Sequence, residues 1–98
     1  MAGSLKRHLL ITRRRIPLDQ FEDYGWQWRE LRRTVAHADG RAWVFGSERV
    51  GDLFIEFIEW QSDAEHPLID QPEVADALAS LNAAFPFEAS DTWIEAKI

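Results

Sequence analysis

The segment Asp52-Leu53-Phe54-Ile55-Glu56-Phe57-Ile58-Glu59-Trp60 is apolar on both faces of an extended chain, apart from its glutamates. A strand exposed to water on one side alternates apolar and polar residues, so this pattern is typical of a strand covered on both sides. In a chain of 98 residues, two helices of the same chain can cover one side. The other side then needs a partner, and the segment therefore predicts a central strand in an oligomer.

The segments around this strand alternate between strand and helix patterns. The predicted elements, in the order strand, helix, strand, strand, helix, strand, cover residues 5–16, 18–38, 41–48, 52–60, about 72–85 and 87–97. This is the split βαβ order. Because crossovers are right-handed, both helices lie on one face of a four-stranded antiparallel sheet with strand order four, one, three, two. We therefore predict a single ferredoxin-like α+β domain (βαββαβ) over residues 1–98.

The first helix carries an apolar stripe at helical spacing, which predicts its buried side. The stripe contains Leu18, Phe21, Gly25, Trp28, Leu31 and Val35, with Tyr24 and Arg32 beside it and Trp26 on the opposite side. Gly25 leaves two interpretations open, because a helical glycine can permit close approach of the sheet or leave room for a ligand. Gly40 and Gly51 suit left-handed positions after the helix and in the hairpin. Asp70 and Glu73 are spaced as a capping pair for the second helix.

Composition and charge argue against several classes of protein. A net charge of −6 argues against a duplex nucleic-acid binder. The chain has no apolar run long enough to span a membrane, and it has no cysteine for a disulfide or a thiolate site. Because its start also lacks the apolar centre of a signal peptide, we expect a cytoplasmic protein.

The charges are unevenly distributed along the chain. Residues 1–49 hold ten of the eleven basic side chains, and residues 50–98 hold eleven of the seventeen acidic ones. Either the basic half forms a patch for an acidic ligand, or the two halves interleave in space and neutralise each other. The predicted strand order favours interleaving, because it places Arg7, Arg13 and Arg15 opposite carboxylates of the third and fourth strands.

The predicted sheet is apolar on both faces. Side chains of the third strand alternate between the faces: Leu53, Ile55 and Phe57 on one, and Phe54, Ile58 and Trp60 on the other. Helices cover one face, and an apolar patch of this size is not left in water on the other. We therefore predict a homodimer through the sheet, since two-fold dimers are the commonest oligomers. The sequence does not decide which face meets the partner.

The third strand ends in the motif Ile55-Glu56-Phe57-Ile58-Glu59-Trp60-Gln61-Ser62. This motif and the order of elements resemble the dimeric α+β barrel superfamily, and in particular its antibiotic-biosynthesis-monooxygenase-like domains. The resemblance implies a homodimeric α+β barrel with a ligand pocket between the helices and the sheet of each subunit. Haem-degrading relatives carry an asparagine on strand one and a histidine on the second helix. This chain has neither, since His66 precedes the helix, so we expect no haem and no other cofactor.

Five side chains are the candidate ligand-binding residues: Trp60, Trp28, Tyr24, Arg32 and His8. Trp60 matches the tryptophan that faces the pocket in several similar domains, and Trp28 and Tyr24 would add aromatic walls. Arg32 would meet an anionic group or pair with an acid of the second half. His8 would act as an acid, base or donor, or it is structural. The histidines lack a paired ligand spacing, so no metal site is predicted, and no catalytic residue is identified.

Two hypotheses about function follow. The first is a homodimer that binds a small aromatic molecule, with cofactor-independent monooxygenation as the activity that the resemblance implies. In that chemistry the substrate itself activates oxygen, while the protein excludes water and orients the reactants. The alternative is a non-catalytic dimerisation or ligand-sensing module. Open space beneath the tryptophans favours the first hypothesis, and a completely filled interior would remove its basis.

Overall fold

The predicted order of strands and helices is confirmed by a computed structural model of the chain, which describes residues 5–62 and 67–98. The elements are β1 (Lys6–Arg15), α1 (Phe21–His37), β2 (Arg41–Gly46), β3 (Leu53–Ser62), α2 (Pro72–Ala84) and β4 (Phe87–Ile94). The strands form one antiparallel sheet in the predicted order β2-β3-β1-β4. Within the described ranges, no helix is long and apolar enough to cross a membrane. His66 lies outside those ranges.

Alternate residues of the sheet face the two helices, and these residues form the core. On β1 they are His8, Leu10, Thr12 and Arg14, and on β3 they are Phe54, Glu56, Ile58 and Trp60. The helices bury Tyr24, Trp28, Leu31, Val35, Val74 and Leu81 against them. The core of the described chain therefore lies on one side of the sheet.

The opposite side of the sheet, here called the open face, carries a largely apolar surface. Two rows of cross-strand neighbours form its middle, each read in the order β2, β3, β1, β4. The first row is Trp43, Phe57, Ile11 and Asp91, and the second is Phe45, Ile55, Arg13 and Ala89. Trp93 lies in the row beside them, and Phe45 and Trp93 are each 57% exposed. Ile55 therefore faces outward and Phe54 faces the helices.

The predicted stripe of the first helix is wrong at its N-terminal end. Leu18 and Phe21 are 80% and 50% exposed, whereas Tyr24, which we expected beside the stripe, is 2% exposed. The stripe assumed one continuous helix, but Leu18–Gln20 forms a separate 3-10 turn before α1. A 3-10 turn has about three residues per turn instead of about 3.6, so the helical spacing does not extend back to Leu18. Phe21 is the first residue of α1, and it is exposed at the end of that helix. The outward position of Trp26 is confirmed, since it is 65% exposed.

The predictions for helix caps and glycines are also corrected. Asp39, not Gly40, takes the left-handed conformation after α1, with φ of 64°, and Gly51 has no positive φ. Gly40 is needed for space instead, because a Cβ there would lie 2.5 Å from Leu68 Cδ1 and 3.1 Å from a backbone oxygen. The predicted capping pair of α2 does not form, because Gln71 is the N-cap residue and makes no side-chain capping bond.

Ion pairs between neighbouring strands confirm that the basic and acidic halves of the chain interleave. Arg7 pairs with Glu59 at 2.7 Å, and Arg15 lies 3.3 Å from both Asp52 and Glu88. The prediction is wrong for Arg13, which makes no ion pair with any described residue. Its cross-strand partners on the open face are apolar, because it lies between Ile55 and Ala89.

Candidate functional site

A pocket of about 320 Å³ lies between α1 and the β2–β3 side of the sheet, and we call it the α1 pocket. It is lined by Phe21, Tyr24, Gly25, Trp28, Arg29, Arg32, Val44, Gly46 and Phe54. The volume falls at the lower end of the ~300–1,000 Å³ range of small-molecule sites. Three of the five predicted ligand-binding residues, Tyr24, Trp28 and Arg32, therefore share one cavity.

Helical spacing explains why α1 supplies most of this lining. Residues three and four positions apart on a helix lie on one side, so Phe21, Tyr24, Trp28 and Arg32 point toward the same region. The sheet contributes Phe54, whose ring centroid is 5.6 Å from those of Phe21 and Tyr24. The pocket thus has aromatic walls and a guanidinium at its rim, an arrangement suited to a flat organic ligand.

Gly25 leaves open space in the wall of the α1 pocket. A Cβ at this position would contact only the Arg29 guanidinium, at 3.7 Å, and no atom of the sheet within 4 Å. The interpretation that Gly25 permits close approach of the sheet is therefore wrong. Its missing side chain adds to the space that a ligand could fill.

Trp28 combines deep burial with an unused hydrogen-bond donor. Its side chain lines the α1 pocket, the residue is 4% exposed, and its Nε1 has no hydrogen-bond partner within residues 5–62 and 67–98. An unpaired buried N–H costs about 1–3 kcal/mol, so such groups are rare without a reason. Because this nitrogen is almost inaccessible, and Trp60 Nε1 is likewise without a partner among the described residues, the unused donor does not by itself mark a ligand site.

A buried charged cluster lies behind the pocket wall. The Glu56 carboxylate accepts hydrogen bonds from the Tyr24 hydroxyl at 2.5 Å and from Arg14 Nε at 2.7 Å, both on Oε2. Arg14 also donates from Nη1 to the backbone oxygen of Phe85 at 2.6 Å. Burial first, and then the negative charge of Glu56, raises the pKa of the Tyr24 hydroxyl well above its usual value. The phenol therefore stays protonated and holds Glu56 in place.

This cluster was not predicted, because the run Arg13-Arg14-Arg15 resembles the polar end of a strand. The strand alternation held the necessary signal, since Arg14 points to the opposite face from Arg13 and Arg15. Glu56 likewise shares the inward face of β3 with Ile58 and Trp60. A carboxylate on an inward face requires a buried cation or donor, and Arg14 is the inward cation on the neighbouring strand.

Trp60 and His8 form a separate group on the helix-facing side of the sheet. Their rings stack with centroids 5.4 Å apart and planes 6° apart, and Trp60 is 5% exposed. Neither residue lines the α1 pocket. Trp60 instead borders a cleft at the β1–β3 end, where its neighbours include Arg7, Arg41 and Glu59. The structure therefore divides the five predicted ligand-binding residues into two groups.

Arg32 does not form the salt bridge that we considered for it with a described residue. It is exposed on α1, and no carboxylate of the described chain lies within ion-pair distance of it. Arg29, one turn away on the same rim, is placed over the Trp26 ring with Cζ 5.1 Å from its centroid. For metal ions, the described residues contain no group of three histidine or acidic side chains that could serve as ligands.

The helix–sheet pocket and the β2-β3-β1-β4 sheet define a ferredoxin-like α+β domain, and solved structures share this fold. A candidate antibiotic biosynthesis monooxygenase from Nitrosomonas europaea has a TM-score of 0.69 and 11% identity over 100% of this chain and 96% of that chain. PA3566 from Pseudomonas aeruginosa has a TM-score of 0.66 and 15% identity over 100% of this chain and 99% of its own. Rv0793 from Mycobacterium tuberculosis has a TM-score of 0.66 and 14% identity over 94% of this chain and 95% of that chain.

These likenesses confirm the predicted fold. The chain shares its ferredoxin-like α+β fold with solved structures described as candidate antibiotic biosynthesis monooxygenases. No family model matches the chain, and no curated protein matches it in sequence.

Proposed function

We propose that this protein is a homodimeric cytoplasmic domain that binds a small aromatic molecule in the α1 pocket. The observation that carries the proposal is a cavity of about 320 Å³ whose walls include the aromatic side chains of Tyr24, Trp28 and Phe54. Aromatic walls favour a flat apolar ligand. The open space at Gly25 supports the same function, because a wall built only for packing would be filled.

Oxygenation of the bound molecule is the second candidate function, supported by the likeness in fold to antibiotic biosynthesis monooxygenases. The described lining of the α1 pocket has no carboxylate or histidine to act as a general base. In such a reaction the substrate would supply the electrons, and the pocket would exclude water and hold the ring. Oxygen uptake in the presence of a bound aromatic molecule would separate catalysis from a binding or sensing role.

Filling the space at Gly25 tests the binding function. Naphthamide, a neutral two-ring probe, is expected to raise the melting temperature of the wild type, because binding to the folded state stabilises it. Gly25→Leu is expected to abolish this shift, since its side chain occupies the pocket. Thermal shift and isothermal titration calorimetry measure the effect.

Gly25→Ala is the matched control for this substitution. Both variants replace a helical glycine and are expected to gain up to about 1 kcal/mol in unfolding free energy. Only the leucine is large enough to fill the cavity, so Gly25→Ala should retain most of the naphthamide binding. Equal binding by the wild type and Gly25→Leu would contradict the α1 pocket as the site.

The homodimer is proposed to form through the open face. Apolar side chains from all four strands lie exposed or half-buried there, and Trp43 stacks on Phe57 with centroids 5.5 Å apart. A contiguous apolar surface of this kind marks an interaction site, and a second copy of the same face is apolar in the same way. The partner sheet would also cover the second side of β3, as its sequence pattern requires.

A charge at the centre of the open face is expected to dissociate the dimer. Ile55→Lys would place an ammonium group in the apolar interface directly opposite Arg13, where the added charge has no counter-charge and is strongly unfavourable. Sedimentation velocity at micromolar concentration should give a dimer for the wild type and a monomer for this variant. Leu18→Lys is the control, because Leu18 is 80% exposed and lies outside the sheet. A monomeric wild type would overturn the proposed assembly.

A further inference from the structure

The α1 pocket has a positively charged lining, whereas the chain as a whole is negatively charged. The chain has a net charge of −6, yet the described lining of the pocket contains two arginines, Arg29 and Arg32, and no carboxylate. Neither guanidinium makes an ion pair with a described residue. A positive rim without counter-charges in an acidic protein attracts an anion to this cavity.

We propose that the ligand of the α1 pocket is a small aromatic carboxylate. Its ring lies against Tyr24, Trp28 and Phe54, and its carboxylate lies at the rim with Arg29 and Arg32. This inference rests on the proposed binding function and adds the charge of the ligand. Guanidinium groups bind carboxylates through paired, charge-assisted hydrogen bonds, which are stronger than neutral ones.

The dimensions of the pocket limit the size of this ligand. A cavity of about 320 Å³ is suited to a molecule of a few fused rings and not to an extended polycyclic one. An aromatic acid therefore fits both the aromatic walls and the positive rim.

The larger groove between α1 and α2 does not compete for this anion. It has a volume of about 940 Å³, and its charged lining consists of Glu30, Glu73 and Asp76 with Arg33. Arg33 is already paired with Glu30 at 2.5 Å, so the groove has a negative balance. Arg33 nevertheless provides a useful control, because it is an exposed arginine of the same helix outside the α1 pocket.

Two isosteric probes test the charge of the ligand. In isothermal titration calorimetry, naphthoate is expected to bind about tenfold more tightly than naphthamide, which is a difference in binding free energy of about 1.4 kcal/mol. The double variant Arg29→Gln/Arg32→Gln should weaken naphthoate binding about tenfold and leave naphthamide binding unchanged, because only the anion uses the guanidinium groups. Arg33→Gln should change neither affinity. Added salt should weaken naphthoate binding and not naphthamide binding.

The possible outcomes separate this inference from the proposed function. Equal affinity for the two probes, or a naphthoate affinity that the double variant does not change, would overturn the aromatic carboxylate and leave aromatic binding intact. Binding of neither probe would overturn the binding function itself. Loss of naphthoate binding in Arg33→Gln would move the anion to the groove between the helices and contradict the α1 pocket. Selective loss in the double variant supports the proposal.

Discussion

Replacing Glu56 with alanine is expected to lower the free energy of unfolding by about 3–5 kcal/mol. Arg14 is fully buried, and its Nε donates to the Glu56 carboxylate at 2.7 Å. Removing the carboxylate leaves a guanidinium charge in the core without a counter-charge, which costs far more than the loss of a surface pair. It also removes the acceptor of the Tyr24 hydroxyl. Urea denaturation measures the change.

Two control variants show whether the buried charge causes this loss. The double variant Arg14→Met/Glu56→Leu removes both charges, and it should be more stable than Glu56→Ala because no unpaired charge remains. Glu30→Ala breaks the exposed Glu30–Arg33 pair, and it should leave stability unchanged within error. A Glu56→Ala protein as stable as Glu30→Ala would contradict the buried ion pair.

Tyr24 provides a second measurement on the same cluster, because it is the only tyrosine in the chain. Its pKa is raised from 10.0, so the folded protein keeps a proton that the unfolded chain loses above about pH 10. The Tyr24 proton makes its full contribution to the free energy of unfolding below that pH. As the pH rises further, this contribution falls by about 1.4 kcal/mol per pH unit. The folded wild type should therefore show no tyrosinate absorbance at pH 10, and Tyr24→Phe should lack this part of the alkaline loss of stability.

Replacing Trp60 with alanine is expected to lower the free energy of unfolding by a similar amount, about 3–5 kcal/mol. Trp60 is 5% exposed and belongs to the core with Leu10 and Ile58, and its ring stacks on His8. Removing the indole leaves a large cavity between the sheet and the helices. Since Trp60 does not line the α1 pocket, affinity for naphthamide should not change.

Stability and affinity measured on the same variant distinguish a structural Trp60 from a ligand-facing one. Trp26→Ala is the matched control, because Trp26 is 65% exposed and its loss should change stability by no more than about 0.5 kcal/mol. A small stability loss for Trp60→Ala, together with a tenfold weaker affinity, would return Trp60 to the binding site. A large loss with unchanged affinity supports the division into two groups that the structure shows.

Local patterns in the sequence were sufficient to predict the architecture of this protein. The alternation along β3, the helical spacing from Trp28 to Val35 and the order of elements depend on residues close together in the chain. Together with right-handed crossovers they determine the strand order, and the strand order brings Arg7 and Arg15 to their carboxylate partners. The aromatic character of α1 likewise pointed to Tyr24 and Trp28 before the pocket was known.

The arrangement of the site was decided by tertiary structure alone. The bond between Tyr24 and Glu56 joins a helix and a strand 32 positions apart, and the space at Gly25 depends on how α1 lies over the sheet. Gly40 is likewise required because Leu68, from beyond β3, packs onto it. The separation of Trp60 from Trp28 has the same origin. Periodicity specifies which side of an element is buried, but it carries no information about which side chains of distant elements meet, because this depends on strand register and on the packing of each helix against the sheet.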